Sequence, residues 1–284
     1  MPAARRAPHR SAAAAQSIGP TRALEGRRID LSGRVAIVTG GSRGIGRACV
    51  ESLAAAGATV VFSYHRRAAA ARAVERAVAA GGGTAAAVRA DAARSAGGAA
   101  PAKAALRLFG RSDILVNNAG IWEPPEGRRL ERLSAAQWRR TMAVNLDGVF
   151  HCTRAVIPAM KKRRWGRIVT ISSTAGQRGE DLHADYAASK GALISFTKSL
   201  AVELGPWGIL VNAVAPWWVY TDMSRGILDR QARDGALSDG ETSPLGRVAA
   251  PGEIAGPVLF LCSDLATYIT GEILNVNGGT ILCG

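Results

Sequence analysis

Seven short runs rich in β-branched and apolar residues punctuate the chain after residue 30. They fall at residues 34–39 (RVAIVT), 59–63 (TVVFS), 84–90, 113–117 (DILVN), 167–172 (RIVTIS), 209–213 (ILVNA) and 273–276. Most are apolar almost throughout rather than alternating, the pattern of strands covered on both faces. Between them, residues 45–56, 68–80, 134–161, 186–204 and 251–263 are alanine-rich or amphipathic, which predicts helices. Strands and helices in alternation predict an α/β fold, a single doubly wound parallel sheet with helices on both faces, over residues 31–284. One connection is weak. Residues 91–101 (DAARSAGGAAP) put two adjacent glycines and a proline where a helix should begin, so a short or frayed helix is expected there.

Composition narrows the classes. Residues 1–30 are rich in Ala, Arg, Ser and Pro without apolar periodicity. They read as a disordered N-terminal extension, although an Arg-rich, acid-poor start also imitates a transit peptide. At 48% hydrophobic and 20% charged residues, the chain as a whole can build a substantial core. No apolar run approaches the roughly 20 residues of a membrane-spanning helix, so no membrane partner is expected. Cys49, Cys152, Cys262 and Cys283 lack metal-type spacing and read as free thiols of a reducing cytoplasm. The 36 Lys+Arg against 22 Asp+Glu give a net charge of +14. No basic–aromatic run, zinc pattern or helix-turn-helix accompanies it, so nucleic acid is not the expected partner. A biased genome, a phosphate-rich cofactor or an acidic carrier partner each account for the sign.

The first chemistry lies where the first strand ends. Thr39-Gly40-Gly41-Ser42-Arg43-Gly44-Ile45-Gly46 joins a predicted strand to a predicted helix, the setting in which glycines let backbone approach a pyrophosphate and free helix N–H groups receive its charge. Many tight turns use glycine without a ligand; the position between strand and helix is what favours a Rossmann-type dinucleotide site. At the end of the second strand, Tyr64 stands where NAD-specific sites carry an acid, followed by His65, Arg66 and Arg67. An acid would repel a 2′-phosphate, whereas Arg43 and Arg66 can pair with one, which favours NADP(H) over NAD(H). Alternatively, Arg66 and Arg67 merely begin a solvated helix face.

A second constellation carries the reaction. Tyr186 and Lys190, four apart in YAASK, share one helix face. A phenol is a poor acid–base catalyst near neutrality. An adjacent ammonium, joined by a positive nicotinamide, favours phenolate and is expected to draw that pKa down. Ser173, thirteen residues before Tyr186, is placed to hold a substrate carbonyl. Taken singly, Asn117 also fits a strand tie, Asn145 a helix cap or kink, and Ser173 a strand-end hydroxyl. No cluster of carboxylates or histidines suggests a catalytic metal.

In this order and spacing, the motifs resemble the short-chain dehydrogenase/reductase family from about residue 31 to the C-terminus. The resemblance rests on the residue 39–46 turn, Asp91, Asn117-Asn118-Ala119-Gly120, Asn145, Ser173, and Tyr186 with Lys190. It implies that Asp91 and Ala92 lie near adenine and that Asn118, Ala119 and Gly120 pack beside the cofactor. Pro216, Val219 and Thr221 would pass its nicotinamide end. It also implies that Tyr186 donates the proton, that Lys190 binds the nicotinamide ribose, and that Asn145 orders a relay water. Long helices at 134–161 and 186–204 are of the kind that pair subunits in the family, which implies a homotetramer or homodimer.

Within the family the chain is most similar to 3-oxoacyl-acyl-carrier-protein reductases, through Asn145-Leu146-Asp147-Gly148-Val149-Phe150, residues 166–173 and Tyr268-Ile269-Thr270-Gly271-Glu272. That implies reduction of an acyl-thioester or other small-molecule ketone, with an acyl carrier protein as one candidate partner. Arg164 matches one basic docking position and Trp207 replaces another. The chain also departs from the family pattern, with Trp217 where glycine usually follows Pro216. A large side chain there either blocks the nicotinamide or turns outward to roof the substrate pocket. Two alternatives therefore stay open: a sugar, polyol or alcohol dehydrogenase, and a cofactor-binding relative with little activity.

Overall fold

The computed structural model describes residues 29–123, 129–233 and 243–282. Most of the extension read at residues 1–30, and Cys283, lie outside them. The chain alternates β1 (Val35–Val38), α1 (Gly44–Ala55), β2 (Thr59–Tyr64), α2 (Ala68–Ala80), β3 (Thr84–Arg89), α3 (Ser95–Phe109) and β4 (Ile114–Asn117). It continues through α4 (Ala135–Met142), α5 (Gly148–Arg163), β5 (Gly166–Ile171), α6 (Ala175–Arg178), α7 (Ala184–Leu204) and β6 (Ile209–Pro216). Helices α8 (Arg225–Arg233) and α9 (Pro251–Cys262) precede β7 (Ile273–Val276). All seven strands are parallel in the order β3-β2-β1-β4-β5-β6-β7.

Side chains alternate across each strand and so feed two cores. Ala36, Val38, Val60 and Phe62 pack with Val50 and Leu53 of α1 and Ile254 and Leu261 of α9. Val35, Ile37, Val61 and Leu115 face the other way, onto Ala105 of α3, Met160 of α5 and Leu204 of α7. Phe62, Leu53, Leu115 and Leu204 are fully buried, each contributing roughly 1.5–3 kcal/mol. Because the chain winds outward from β1 to β3 and then returns to β4 beside β1, the carboxyl ends of β1 and β4 part and leave a crevice.

Two expectations change. Residues 91–101 do not make a short or frayed helix: α3 runs through fifteen residues with Pro101 inside it. Packing overrules propensity here. A side chain at Gly97 would stand 2.1 Å from the Asp91 carbonyl oxygen, and one at Gly98 would stand 2.8 Å from His151 Cβ. Gly98, which weakens the helix in isolation, is what lets it approach α5, and Gly97 makes room for the Asp91 backbone at its start. The long helix expected at 134–161 is interrupted by a π-helical segment, Ala143–Asp147, between α4 and α5, and such wide turns recur at functional sites. No described helix is long and apolar enough to cross a membrane.

Candidate active site

The crevice is a cleft of about 860 Å³. At one end the β1–α1 turn is folded on itself by backbone. Gly40 and Gly44 adopt φ of +69° and +53°, open to glycine at little strain. Gly46 lies beneath the turn rather than on the cleft wall: a Cβ there would meet the Gly40 carbonyl oxygen at 2.3 Å and Asn118 Nδ2 at 2.4 Å. Asn118 Nδ2 donates to the Thr39 and Gly40 carbonyls at 2.9 and 3.2 Å. Thr39 Oγ1 accepts from the Asn118 and Ala119 N–H groups, both at 2.9 Å. Helix α1 begins at Gly44 with no side chain capping it, so its first N–H groups remain for a ligand's charge. Ser42, Arg43, Gly44, Ile45, Ala119 and Gly120 line the cleft around this turn. An uncapped helix start over a glycine floor fits a pyrophosphate.

Tyr64, Arg66, Asp91 and Ala92 line the same end. Asp91 accepts from Ala93 N–H at 3.1 Å and stands 4.0 Å from His65 Nε2. The guanidinium that joins Arg43 is Arg67, not Arg66. Arg67 and Arg43 meet Asp222 Oδ2 at 2.7 and 3.4 Å, and Arg225 reaches the other oxygen at 3.9 Å. A pair of guanidiniums already holding a carboxylate fits a 2′-phosphate. The segment after β6 closes over the turn: a Cβ on Gly44 would lie 3.3 Å from Thr221 Cγ2. Pro216 ends β6, and Val219 is buried and bridges Ala249.

At the other end, the start of α7 presents Tyr186 and Lys190 opposite Ser173, which follows β5. Lys190 is buried, donates to the Ile171 carbonyl at 2.7 Å and lies 5.6 Å from the Tyr186 ring centre. Burial lowers its pKa to about 8. The protein by itself pushes the phenol up. Burial raises the Tyr186 pKa, the Glu180 charge raises it further, and only the hydrogen bond with Ser173 opposes them. Desolvation of a would-be phenolate outweighs that hydrogen bond.

Asn145 is fully buried in the π-helical segment. It accepts from Ile121 N–H at 2.8 Å, donates to the Ile121 carbonyl at 3.0 Å and reaches Ser189 Oγ at 3.1 Å. The wide turn therefore clamps the loop after β4 to α7. Asn117 Nδ2 reaches Thr153 Oγ1 on α5 at 3.0 Å, a tie between strand and helix.

Sequence reasoning missed the wall beyond Tyr186. Trp122 stacks on His183 with ring centres 4.6 Å apart, and Trp218 meets Trp122 edge-on at 5.7 Å. Trp217 continues the wall at 6.0 Å from Trp218, beneath the Arg178 guanidinium at 4.5 Å. Trp217 lines the cleft beside Pro216 and Trp218. Trp122 directly follows the NNAGI run, where its place beside the cofactor motif was the available signal. Glu180 and His183 sit in a loop with no motif.

A glycine-cradled cleft at a sheet switch point, holding a Ser, Tyr and Lys set, defines an oxidoreductase acting on CH–OH groups with a dinucleotide. Residues 40–280 match the family described as enoyl-(acyl carrier protein) reductase. The 3-oxoacyl-(acyl-carrier-protein) reductases FabG of Aquifex aeolicus and Escherichia coli K12 are 42% and 44% identical over 251 residues, 88% of this chain and 98% of theirs. A doubly substituted Serratia marcescens short-chain dehydrogenase/reductase superposes with a TM-score of 0.78 at 40% identity, covering 88% of this chain and 98% of that one. The chain belongs to the short-chain dehydrogenase/reductase family.

Proposed function

We propose that the chain is an NADPH-dependent reductase that converts the ketone of a 3-oxoacyl thioester to a secondary alcohol. The observation that carries this reading is one cleft joining the Arg43–Arg67 pair at one end to Ser173, Tyr186 and Lys190 at the other. The names of the similar reductases support the substrate class. The turn at Gly40–Gly46, with Tyr64, Asp91, Ala92, Asn118, Ala119 and Gly120, holds the dinucleotide; Arg43 and its neighbours Arg66 and Arg67 favour NADP(H) over NAD(H). When bound, NADPH supplies the hydride. Ser173 orients the carbonyl oxygen and Tyr186 gives it a proton. A phenol held protonated by burial suits that direction. Lys190 binds the ribose, and Asn145 fixes the backbone through which a relay water reaches Lys190. Pro216, Val219 and Thr221 contact the nicotinamide end.

An acyl carrier protein is the proposed partner. Arg164 contributes less than expected to its docking, because its guanidinium donates to the Pro206 carbonyl at 2.8 Å and lies 5.5 Å from the Trp207 ring. Exposed Trp138, Phe150 and Val202 on α4, α5 and α7 support pairing into a homodimer or homotetramer. Buried, unpaired Cys49, Cys152 and Cys262 suit a cytoplasmic location. The test follows absorbance of NADPH and, separately, NADH with the purified chain and an acetoacetyl thioester. NADPH consumption in preference to NADH is expected; no consumption of either overturns the reading.

A further inference from the structure

The wall beyond Tyr186 holds a carboxylate that neither the dinucleotide nor the Ser, Tyr and Lys set uses. Glu180 lines the cleft with Trp122, Trp217, Trp218 and Tyr186. Its Oε1 accepts from Trp122 Nε1 at 3.2 Å and stands 3.8 Å from His183 Nδ1. Its Oε2 has no hydrogen-bond partner among the described residues. The loop that carries it is pinned: His183 sets its ring nitrogens 2.9 Å from the Asp181 carbonyl and 3.0 Å from the Glu123 carbonyl. Glu123 in turn pairs with Arg140 at 3.0 Å. The loops after β4 and β5 are thereby locked around one half-satisfied carboxylate. Only 22% of that side chain is exposed. Burial raises its pKa, and the charges of His183 and Arg178 with the Trp122 N–H offset this only in part. A donor delivered to Oε2 would complete the site.

The chemistry of that donor is constrained. Arg140 lines the cleft and Arg178 covers Trp217, so an ammonium would meet two guanidiniums, whereas a neutral hydroxyl meets no such repulsion. A long alkyl chain would leave Oε2 unpaired and dry. Resting on the reading that Tyr186 protonates a ketone, we propose that Glu180 is a specificity-determining residue that accepts a hydrogen bond from a hydroxyl carried near the substrate's carbonyl. The favoured substrates are then 3-oxoacyl compounds hydroxylated next to the ketone, with the indoles of Trp122, Trp217 and Trp218 as the apolar wall.

The test compares ethyl acetoacetate with its γ-hydroxy counterpart, which differs by one hydroxyl. Binding is read by quenching of indole fluorescence with NADP+ present, and turnover by NADPH absorbance. The full chain should bind the hydroxylated ketone about tenfold or more tightly than its partner. Glu180→Gln keeps an oxygen for the Trp122 N–H and turns an N–H donor toward the cleft; Glu180→Ala removes both. Glu180→Ala should abolish the preference in binding and Glu180→Gln should weaken it, with the affinity for ethyl acetoacetate changed by no more than about twofold; turnover of both ketones shifts together, because the Glu180 charge also bears on Tyr186. Equal binding of the two ketones by the unsubstituted chain overturns the proposal, whether or not the variants fold. A preference that survives both substitutions also overturns it. Glu180-dependent preference in binding, without turnover of either ketone, upholds this site and refutes the reductase reading instead.

Discussion

At the adenosine end, the cleft is made of main chain and of charges that reach into solvent. At the substrate end it is made of indoles and buried titratable groups carried by three loops. The first end is fixed by sterics that allow almost no substitution, as the 2.3 Å gap beneath Gly46 shows. The second owes its shape to side chains, Trp122, Glu180, His183, Trp217 and Trp218, any of which can change without disturbing a strand. One scaffold can thus keep its cofactor and exchange its substrate, because the two sets of constraints share no side chain.

The comparison breaks most visibly at Tyr186. Tyr186→Phe should lower NADPH-dependent turnover by roughly 10²–10⁴-fold, with cofactor affinity retained in a fluorescence titration; an unchanged rate would remove Tyr186 from proton transfer. Next is Lys190, where function and stability oppose one another. Its pKa falls from 10.5 in the unfolded chain to about 8 in the fold. Between those values the unfolded state holds more protons, so stability rises with pH through that window, and below it the whole penalty stands. Lys190→Met should therefore stabilise the cofactor-free protein near neutrality by at most about 3 kcal/mol, reduced by about 1–3 kcal/mol for the Ile171 carbonyl it leaves without a donor, flatten its profile above pH 8 and lower turnover. Urea unfolding on both sides of the window checks this, and a variant less stable than its parent near neutrality contradicts it.

At the opposite end, Gly46→Ala should destabilise by roughly 1–3 kcal/mol through overpacking and weaken dinucleotide binding. Calorimetric titration with NADPH beside a thermal melt separates the two effects. The smallest effect is expected at Asp222, whose ion pairs with Arg43 and Arg67 are half-exposed and worth at most about 1 kcal/mol. Asp222→Asn should free both guanidiniums and tighten NADPH by no more than about fivefold while leaving NADH unchanged. A gain shared equally by both cofactors would show that the arginines do not read the phosphate.

The adenosine end was the more legible of the two. Strand, glycine turn and helix succeed one another in a single stretch, and their geometry is local. Arg67 could be read only as the start of a solvated helix face, because its place beside Arg43 depends on Asp222, 155 residues away. The substrate end was legible only in Ser173, Tyr186 and Lys190. Two of these share a helix, and the third follows the strand whose last carbonyl Lys190 bonds. Glu180 had no such marker: it meets Trp122 across 58 residues, and only the fold makes them neighbours.

By itself, then, the sequence determined what local periodicity and steric demand encode: the order of strands and helices, the phosphate turn, and the pitch that sets Tyr186 over Lys190. Tertiary structure alone decided the rest. It made α3 a full helix because α5 supplies packing that Gly98 admits. It raised the Tyr186 pKa in the protein alone, because desolvation depends on the groups that cover a side chain in space and not on its neighbours along the chain. It also gathered the indole wall and its carboxylate from loops that only the winding of the sheet brings together.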